Sequence, residues 1–492
     1  MAVLLAVCPA LGSSSKLGQT PVDQGGLALS SALEAACRTA RLNWEIDSQR
    51  AGARRGEHLA RRQFSLAIEP RVSLGSVQVG ERTERLDVAG IGFSRAFATT
   101  GTRLSFEPSY SWFDQGSATS TSAELRQPLL RGISPTYNRA PLDDAELATR
   151  EAARAVETTL EQYLLQVTRL YLDLALAGEN RRILQESVAD LSHHVALAEA
   201  RVRAQVADHG DVLRARVRAA TTADALSEAA RTEDDLRERL RVVLELDPGA
   251  AIEAAPLELV ARPEVPAGVL SGELVESAQA DRALSARREL ASAKDAVDAA
   301  DRRVRIARHG LLPDLDLSVS YNKIALAGAA PGIDQDAVWR FSLVGSGRDV
   351  RRDAEIAALE EAVETAQRAR LDLLDRERSI REEVRAALRS FERQAEAAKL
   401  NASRLEDAAV RKRIAESRFR NGLASNLDLL DAEDEVRSAR LSVSRARAAE
   451  LLAEHQLALA TGRYLSFLEQ RFGLTDLSRL LAEGSSGGVP VS

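Results

Sequence analysis

Two long stretches of the chain carry apolar or small residues at spacings that alternate between four and three. The first series runs from Val156 to Val202, and the second runs from Val384 to Ala409, with alanine at half of its positions. This spacing is the coiled-coil period and predicts two long helices, over 142–206 and 351–420. At 1.5 Å per residue, each helix would be about 100 Å long.

Each long helix ends at a turn, and a shorter helix follows it, predicted over 211–246 and 428–461. Shifting the sequence by 217 positions aligns the two turns without gaps, so that Asp211 falls on Asp428 and Arg203 on Arg420. The chain is therefore interpreted as an internal duplication. The predicted division is a signal-like or unstructured N-terminus (1–26), a first repeat (27–250), a linker (251–272), a second repeat (273–465) and a C-terminal tail (466–492).

Segments in which apolar and polar residues alternate lie before each long helix. The alternation is clear from Leu66 to Leu74, from Thr102 to Trp112 and from Leu315 to Tyr321, and a return strand is predicted over 337–344. It predicts β-hairpins at about 64–125 and 314–344. Each hairpin would have an apolar face and a polar face, which suits strands between lipid and a wet lumen. A soluble sheet with one buried face fits this pattern equally well, but no partner core is evident.

Composition and charge narrow the function classes. Aromatic residues make up 4% of the chain and the formal net charge is -7, with no basic patch that would indicate nucleic acid. The two cysteines cannot form a disulfide framework, and no His or Cys cluster has metal-ligand spacing, so no cofactor is expected. His193 and His194 point about 100° apart on a helix, a poor catalytic pair, and we predict that the protein is not an enzyme.

The N-terminal segment resembles a secretory signal without the usual basic residues. Cys8 follows Val7, which disfavours lipidation because the lipoprotein pattern requires a small residue there.

No run reaches the roughly 18 apolar residues of a membrane-spanning helix, so a membrane would be crossed by strands. Two hairpins cannot close a barrel, and open edges in hydrocarbon are costly. Three copies with four strands each would give 12 strands.

Three motifs carry a resemblance to a known family: "RQPLLRG" from Arg126 to Gly132, Pro313 before the second hairpin, and "RFRNGLASNLDLLDAE" from Arg418 to Glu433. In this order, on a duplicated plan, they resemble the outer membrane efflux proteins of the TolC type over Leu27 to Gly462. The resemblance implies a mainly helical protein with β structure. Its homotrimer would form a 12-strand outer-membrane barrel continuous with a periplasmic helical barrel. It also implies an exit duct that receives substrates from an inner-membrane pump, of the resistance-nodulation-division or ABC type, through a periplasmic adaptor.

The resemblance assigns roles to the turns that end the long helices. Asp428 and Asp431 match the aspartates of the family's narrow periplasmic aperture, and Asp211 matches an aspartate of its closed-state contacts. Three copies would make two carboxylate rings one helical turn apart, for which raised pKa values are expected. From spacing alone, capping of the helix start is the favoured role of such aspartates, and Asp428 could do both.

Two departures from the family concern closure of the aperture. Ala424 occupies the position of the basic residue that holds the aperture shut in the best-known member, and Gln205 matches the glycine of the second turn, Gly422. Other contacts would then close it, and the candidates are Arg201, Arg214, Arg418 and Arg420. The exposed turn residues are predicted to meet the adaptor: Ala207, Asp208, His209, Gly210, Gly422, Leu423, Ala424, Ser425 and Asn426.

A soluble periplasmic coiled-coil scaffold is the alternative function. It explains the heptads and the interspersed charge, but it does not explain hairpins at equivalent places in both halves. The cargo and the class of pump are not encoded in any motif, because the lumen of such a duct is wide and polar.

Overall fold

The computed structural model describes residues 28–79, 82–113, 116–205, 208–248, 252–255, 273–327, 335–346, 352–421 and 423–474. The signal-like N-terminus with Cys8, most of the predicted linker and most of the predicted tail lie outside these residues. No helix in the described ranges is both long enough and apolar enough to cross a lipid bilayer.

The described residues form ten α-helices and six β-strands. In chain order they are α1 (Leu29–Cys37), α2 (Ala40–Arg62), β1 (Ala67–Val79), β2 (Arg82–Ala96), β3 (Arg103–Phe113), β4 (Gly116–Pro128), α3 (Pro135–Asn138), α4 (Ala140–Arg203), α5 (His209–Val243), α6 (Glu273–Ala286), α7 (Arg288–Gly310), β5 (Asp314–Ala327), β6 (Gln335–Ser346), α8 (Asp353–Arg420), α9 (Asn426–Ala460) and α10 (Tyr464–Phe472).

The helix boundaries repeat with the period that the sequence shows. Helix α4 ends at Arg203 and α8 ends at Arg420, while α5 begins at His209 and α9 begins at Asn426. Both pairs are 217 positions apart, and so are the ends of α5 and α9. Helices α5 and α9 each have 35 residues. The two halves thus share one sequence of elements: a helix, strands, a long helix, a turn and a shorter helix.

All six strands belong to one antiparallel sheet in the order β1-β2-β3-β4-β5-β6. The prediction of four strands is therefore wrong, because the region expected to be one hairpin, 64–125, holds two. The alternation of apolar and polar residues in this region identified only β1 and β3. The strands between and after them were missed because their outward positions hold small residues, such as Ala89 on β2 and Thr119 and Thr121 on β4.

The register gives the sheet one apolar face. Directly opposed pairs on this face include Ile68 with Phe93, Phe106 with Ala123 and Val319 with Phe341. The apolar side chains of the two outer strands are widely exposed, for example Leu74 on β1 (74%) and Phe341 on β6 (72%). The predicted alternation of an apolar and a polar face is observed on β1, β3 and β5, although Asp87 on β2 and Lys323 on β5 lie on the apolar face.

The opposite face carries polar side chains and ion pairs. Arg71 on β1 reaches across β2 to Glu107 on β3, with 2.6 Å between Nη1 and Oε1. The strand between them places Gly90 opposite Arg71, where a side chain would stand in the way. A Cβ atom at Gly90 would also lie 2.9 Å from the Cβ of Ser109. On the other half of this face Arg126 Nε donates to Asp316 at 2.9 Å.

The chain divides into two compact units, and the sheet lies in the unit formed by Cys37–Gln166, Pro263–Ala397 and Glu450–Ser492. The helical core of this unit includes a buried cluster of Ala283, Leu290, Ile380, Val384 and Ala460. Small residues in the cluster let the helices approach closely, as the alanine-rich pattern predicts.

The second unit consists of Met1–Ala36, Val167–Arg262 and Ala398–Ala449. Its largest buried side chains include Tyr171, Leu174, Leu240 and Leu429. Both turns between the long and the shorter helices belong to this unit, so the predicted aperture and adaptor residues can be described together.

Candidate functional site

The turn between α8 and α9 is built around a reciprocal hydrogen-bonded cap. Ser425 precedes the first residue of α9, and its hydroxyl oxygen accepts a hydrogen bond from the backbone N–H of Asp428 at 3.2 Å. In return, Oδ2 of Asp428 accepts hydrogen bonds from the backbone N–H and the hydroxyl of Ser425, both at 2.8 Å. This arrangement is a capping box, which satisfies two backbone donors at the start of the helix.

The cap determines the electrostatics of Asp428. Hydrogen bonds from the backbone N–H and the hydroxyl of Ser425 stabilise the carboxylate and lower its pKa. Within one chain the direction is opposite to the rise expected for a ring of carboxylates. The side chain of Asp428 is exposed, so it caps the helix and still faces outward.

Asp431 lies one helical turn further along α9, on the same side as Asp428 because the two are three residues apart. Its side chain is exposed and has no hydrogen bond or ion pair with any residue that the structure describes. The two aspartates thus form an outward-facing pair of carboxylates at the start of the helix, one held by the cap and one open.

Asp211 connects the two turns through its backbone. Its carbonyl oxygen accepts a hydrogen bond from Nδ2 of Asn426 at 3.4 Å, while its carboxylate pairs with Arg214 at 2.7 Å. The residue that matches Ser425 in the first turn is Asp208, which precedes α5 but makes no side-chain cap. The first turn therefore replaces the capping box with an Asp–Arg pair.

The predicted adaptor residues differ in exposure. Leu423 is 77% exposed, and Asp208, His209 and Ser425 are also exposed, whereas Gly210 and Ala424 are half-buried. The prediction that Asn426 is an exposed contact is wrong: it is 7% exposed because its amide turns toward Asp211. Ala207 and Gly422 lie outside the described residues.

The four candidate gate arginines have contacts of different kinds. Arg201 lies over the ring of Phe419 at 4.5 Å, Arg214 pairs with Asp211, and Arg420 approaches Glu416 at 3.9 Å. Arg418 is exposed, and its backbone carbonyl accepts the N–H of Leu423 at 2.8 Å, which closes the end of α8.

A partly buried polar network near the turns was not predicted. Nε2 of His194 on α4 lies 2.6 Å from Glu433 on α9, and Lys412 on α8 lies 3.5 Å from the same carboxylate and 3.6 Å from Asp190. These contacts join residues up to 239 positions apart, and no local pattern announces them. They tie α4, α8 and α9 together beside the aspartates. No group of three or more His, Cys, Asp or Glu side chains in the described ranges is placed to hold a metal ion.

Comparison with known proteins relates this arrangement to a family. The family model described as outer membrane efflux protein matches residues 280–463, which lie inside the second repeat predicted from the sequence. The match covers 184 of the 492 residues. This family match assigns the chain to transport and to the outer membrane. No curated protein sequence is significantly similar to the chain.

Solved structures share the fold at low sequence identity. The outer membrane protein VceC from Vibrio cholerae is 17% identical, with a TM-score of 0.66 over 88% of this chain and 96% of its own. The CmeC outer membrane channel of Campylobacter jejuni is 12% identical, with a TM-score of 0.67 over 92% and 90%. The open state of the MtrE outer membrane channel of Neisseria gonorrhoeae is 16% identical, with a TM-score of 0.66 over 90% of both chains.

Proposed function

We propose that three copies of this chain form the exit duct of a tripartite efflux or type I secretion system. The duct conducts substrates passively from an inner-membrane pump, through a periplasmic adaptor, to the outside. The observation that carries the proposal is the largely apolar face of the sheet, with exposed apolar side chains on strands from β1 to β6, in a chain of which residues 280–463 match the outer membrane efflux family. A soluble scaffold would have to cover this face, and lipid covers it directly.

Exposed apolar side chains on α8 support association of several copies. They include Ile356, Leu371 and Leu374 in the unit with the sheet, and Leu400, Val410 and Ile414 in the other unit. Leu400 and Ile414 are two heptads apart, which is the spacing of a helix seam that meets another helix. In the proposed trimer, neighbouring copies cover these side chains, and the long helices form a tube through the periplasm.

The mass of the assembled protein tests this proposal first. The protein is extracted in mild detergent from an isolated outer-membrane fraction, and its mass is corrected for bound detergent. We expect a species of three chains. A monomer or dimer recovered only from the soluble fraction contradicts the exit duct and favours the coiled-coil scaffold.

The aperture of the duct is proposed to lie at the two turns. Asp428 and Asp431 share an exposed side of α9, and Asp211 is held beside this helix start through Asn426. Three copies would bring these carboxylates together in rings, where negative charge favours the passage of cations. Since Ala424 supplies no charge, closure would use the arginines at these turns, of which Arg201, Arg214 and Arg420 already hold partners within the chain.

The adaptor is proposed to bind at Asp208, His209, Gly210, Leu423, Ala424 and Ser425, together with Ala207 and Gly422. Leu423 is the main candidate for an apolar anchor because it is the most exposed large hydrophobic residue of the turns. Replacing one anchor residue of an interface typically costs about 2 kcal/mol, about thirtyfold in affinity.

The variant Leu423→Glu tests the adaptor surface, and Val242→Glu is its control because Val242 is also widely exposed (68%) but lies at the far end of α5. We expect Leu423→Glu to abolish export while the trimer still assembles, and Val242→Glu to retain export. Normal export by Leu423→Glu would move the adaptor surface elsewhere and leave the trimeric duct intact.

A further inference from the structure

The number of strands in each chain bears on how copies join. The outer strands β1 and β6, of 13 and 12 residues, each have a strand neighbour on one side only within the described chain. Backbone groups on the open sides need partners in a membrane, where unsatisfied N–H and C=O groups cost several kcal/mol each. Pro70 is the one residue of β1 without a backbone donor.

All five pairings in the sheet are antiparallel, so β1 and β6 run in opposite directions. A copy related by rotation would therefore place its β1 beside β6 of its neighbour in antiparallel orientation. The alternation of strand direction would continue without a break, as it does in membrane barrels with an even number of strands.

The slant of the strands fits closure of all six into one wall. A row of opposed residues begins at Ala67, the first residue of β1, and passes through Ser94, Ser105, Glu124 and Ser320 to Arg340. Arg340 lies six residues before the end of β6 at Ser346. Between β1 and β6 the row moves along the strand direction, relative to the strand ends, by six residues or about 20 Å. It crosses five strand spacings, or about 24 Å, so the strands are tilted by about 40°. Closed membrane barrels have strand tilts of about 35–45°.

Strands β1 and β2 share the chemistry of the remaining four. Their apolar side chains, including Val72 and Ile91, lie on the same face as Tyr110 and Phe341, and Arg71 is paired with Glu107 on the polar face. Neither strand has the two polar faces that a hairpin standing free in solvent would have. The first hairpin therefore belongs to the lipid-facing wall.

We propose that β1 of one copy pairs with β6 of the next, and that three copies close a wall of eighteen strands. This inference rests on the trimeric duct proposed above and changes its dimensions. Because barrel diameter grows roughly linearly with strand number, the pore would be about 1.5 times as wide as one built from four strands per chain. The duct would then admit bulkier cargo through the outer membrane.

Cysteine cross-linking tests which strands meet between copies. Ser73 on β1, Ser109 on β3 and Ser342 on β6 all lie on the polar face of the sheet. The test variant combines Ser73→Cys with Ser342→Cys, and the matched control combines Ser109→Cys with Ser342→Cys. A bis-maleimide reagent that spans about 8 Å and adds to two thiols reaches both opposed and diagonal neighbours on adjacent strands. The single-cysteine variants control for Cys8 and Cys37.

We expect the Ser73/Ser342 pair to yield covalent trimers on denaturing gels and the Ser109/Ser342 pair to yield monomers. Cross-linking of the Ser109/Ser342 pair instead would mean that β3 is the edge and that twelve strands close the wall. That result, or a trimer by mass with no cross-link from either pair, overturns the eighteen-stranded wall and leaves the exit duct standing. Absence of a trimer by mass overturns both proposals.

Discussion

At the scale of single residues, matched positions in the two turns differ in side chain. Gln205 occupies the position that Gly422 holds in the second half, and it adopts a φ of 63°. This left-handed conformation costs an ordinary residue about 1–2 kcal/mol, whereas glycine adopts it without a steric penalty. The first turn therefore holds strain at its helix end.

The variant Gln205→Gly should relieve this strain. After allowance for the greater flexibility of glycine in the unfolded chain, we expect the turn to be stabilised by about 1 kcal/mol. Hydrogen exchange of the amides around 203–211 should slow by about fivefold. The control is Ala200→Gly, an exposed position inside α4, which should destabilise the helix by a similar amount. Faster exchange in Gln205→Gly would show that the strain is absent.

Part of the site could be predicted from local sequence and part could not. The match of Gln205 with Gly422 is visible in the sequence, although the strain at Gln205 was not predicted from it, and the Ser-x-x-Asp spacing of Ser425 and Asp428 carries the signature of a cap. The partly buried contact of His194 with Glu433 arises only when α4 and α9 are packed together, and no sequence period records it. The burial of Asn426 has the same origin, because its partner Asp211 lies 215 positions away.

At the scale of elements, helices were easier to predict than strands. The first heptad pattern, from Val156 to Val202, spans 47 residues and gives many independent positions. Strand β4 has only 13 residues, and Thr119 and Thr121 lie on its apolar face. These small side chains pair with residues that carry larger rings on the neighbouring strand, for example Tyr110 opposite Thr119. The apolar character of the strand is thus supplied partly by its neighbour and is not visible in its own sequence.

The two faces of β6 should respond differently to charge. Phe341 lies on the apolar face and Ser342 on the polar face, although they are adjacent in sequence. We expect Phe341→Arg to destabilise the inserted sheet by about 2–4 kcal/mol, because an arginine would face lipid near the middle of the strand. Ser342→Arg should be tolerated. The measurement is the yield of folded trimer from the outer membrane, and equal yields would contradict a lipid-facing role for Phe341.

The packing of α9 against α10 should be sensitive to acid. His455 is buried among Tyr464, Phe467 and Phe472, and burial, together with the charge of Arg471, lowers its pKa to about 3. The unfolded chain binds a proton below about pH 6.5 that the folded chain does not, so stability falls as the pH drops from about 6.5 toward 3. At pH 5 this loss is about 2 kcal/mol.

Thermal unfolding at pH 7 and pH 5 measures this loss, with His455→Phe and His193→Phe compared against the unchanged protein. His455→Phe should reduce the pH dependence, because the titrating group is gone while an aromatic ring still fills the site. His193 is exposed, so His193→Phe should leave the dependence unchanged. An unchanged pH dependence in His455→Phe would assign the effect to other groups.

At the scale of the whole molecule, duplication gives one chain two similar helical hairpins, α4 with α5 and α8 with α9. The turns that join the helices of each hairpin, here called tips, differ from one another. The second tip has a capping box and an open aspartate, while the first has an Asp–Arg pair and a strained glutamine. A tube made of three chains would therefore present three tips of each kind in alternation. Only the second kind offers two exposed carboxylates on one side of its helix, which concentrates negative charge at three equivalent places.

This arrangement predicts how the assembled duct responds to cations. In planar bilayers, the double variant Asp428→Asn and Asp431→Asn should show weaker block by multivalent cations than the unchanged protein, because six carboxylates are removed from the aperture. The double variant Asp224→Asn and Glu228→Gln removes equal charge from exposed positions on α5 and should retain the block. Asparagine at 428 preserves an acceptor for Ser425, so a lost block reflects charge and not loss of the cap. If both double variants are blocked as strongly as the unchanged protein, then Asp428 and Asp431 do not line the narrowest part of the duct, and Asp211 becomes the remaining aspartate to test.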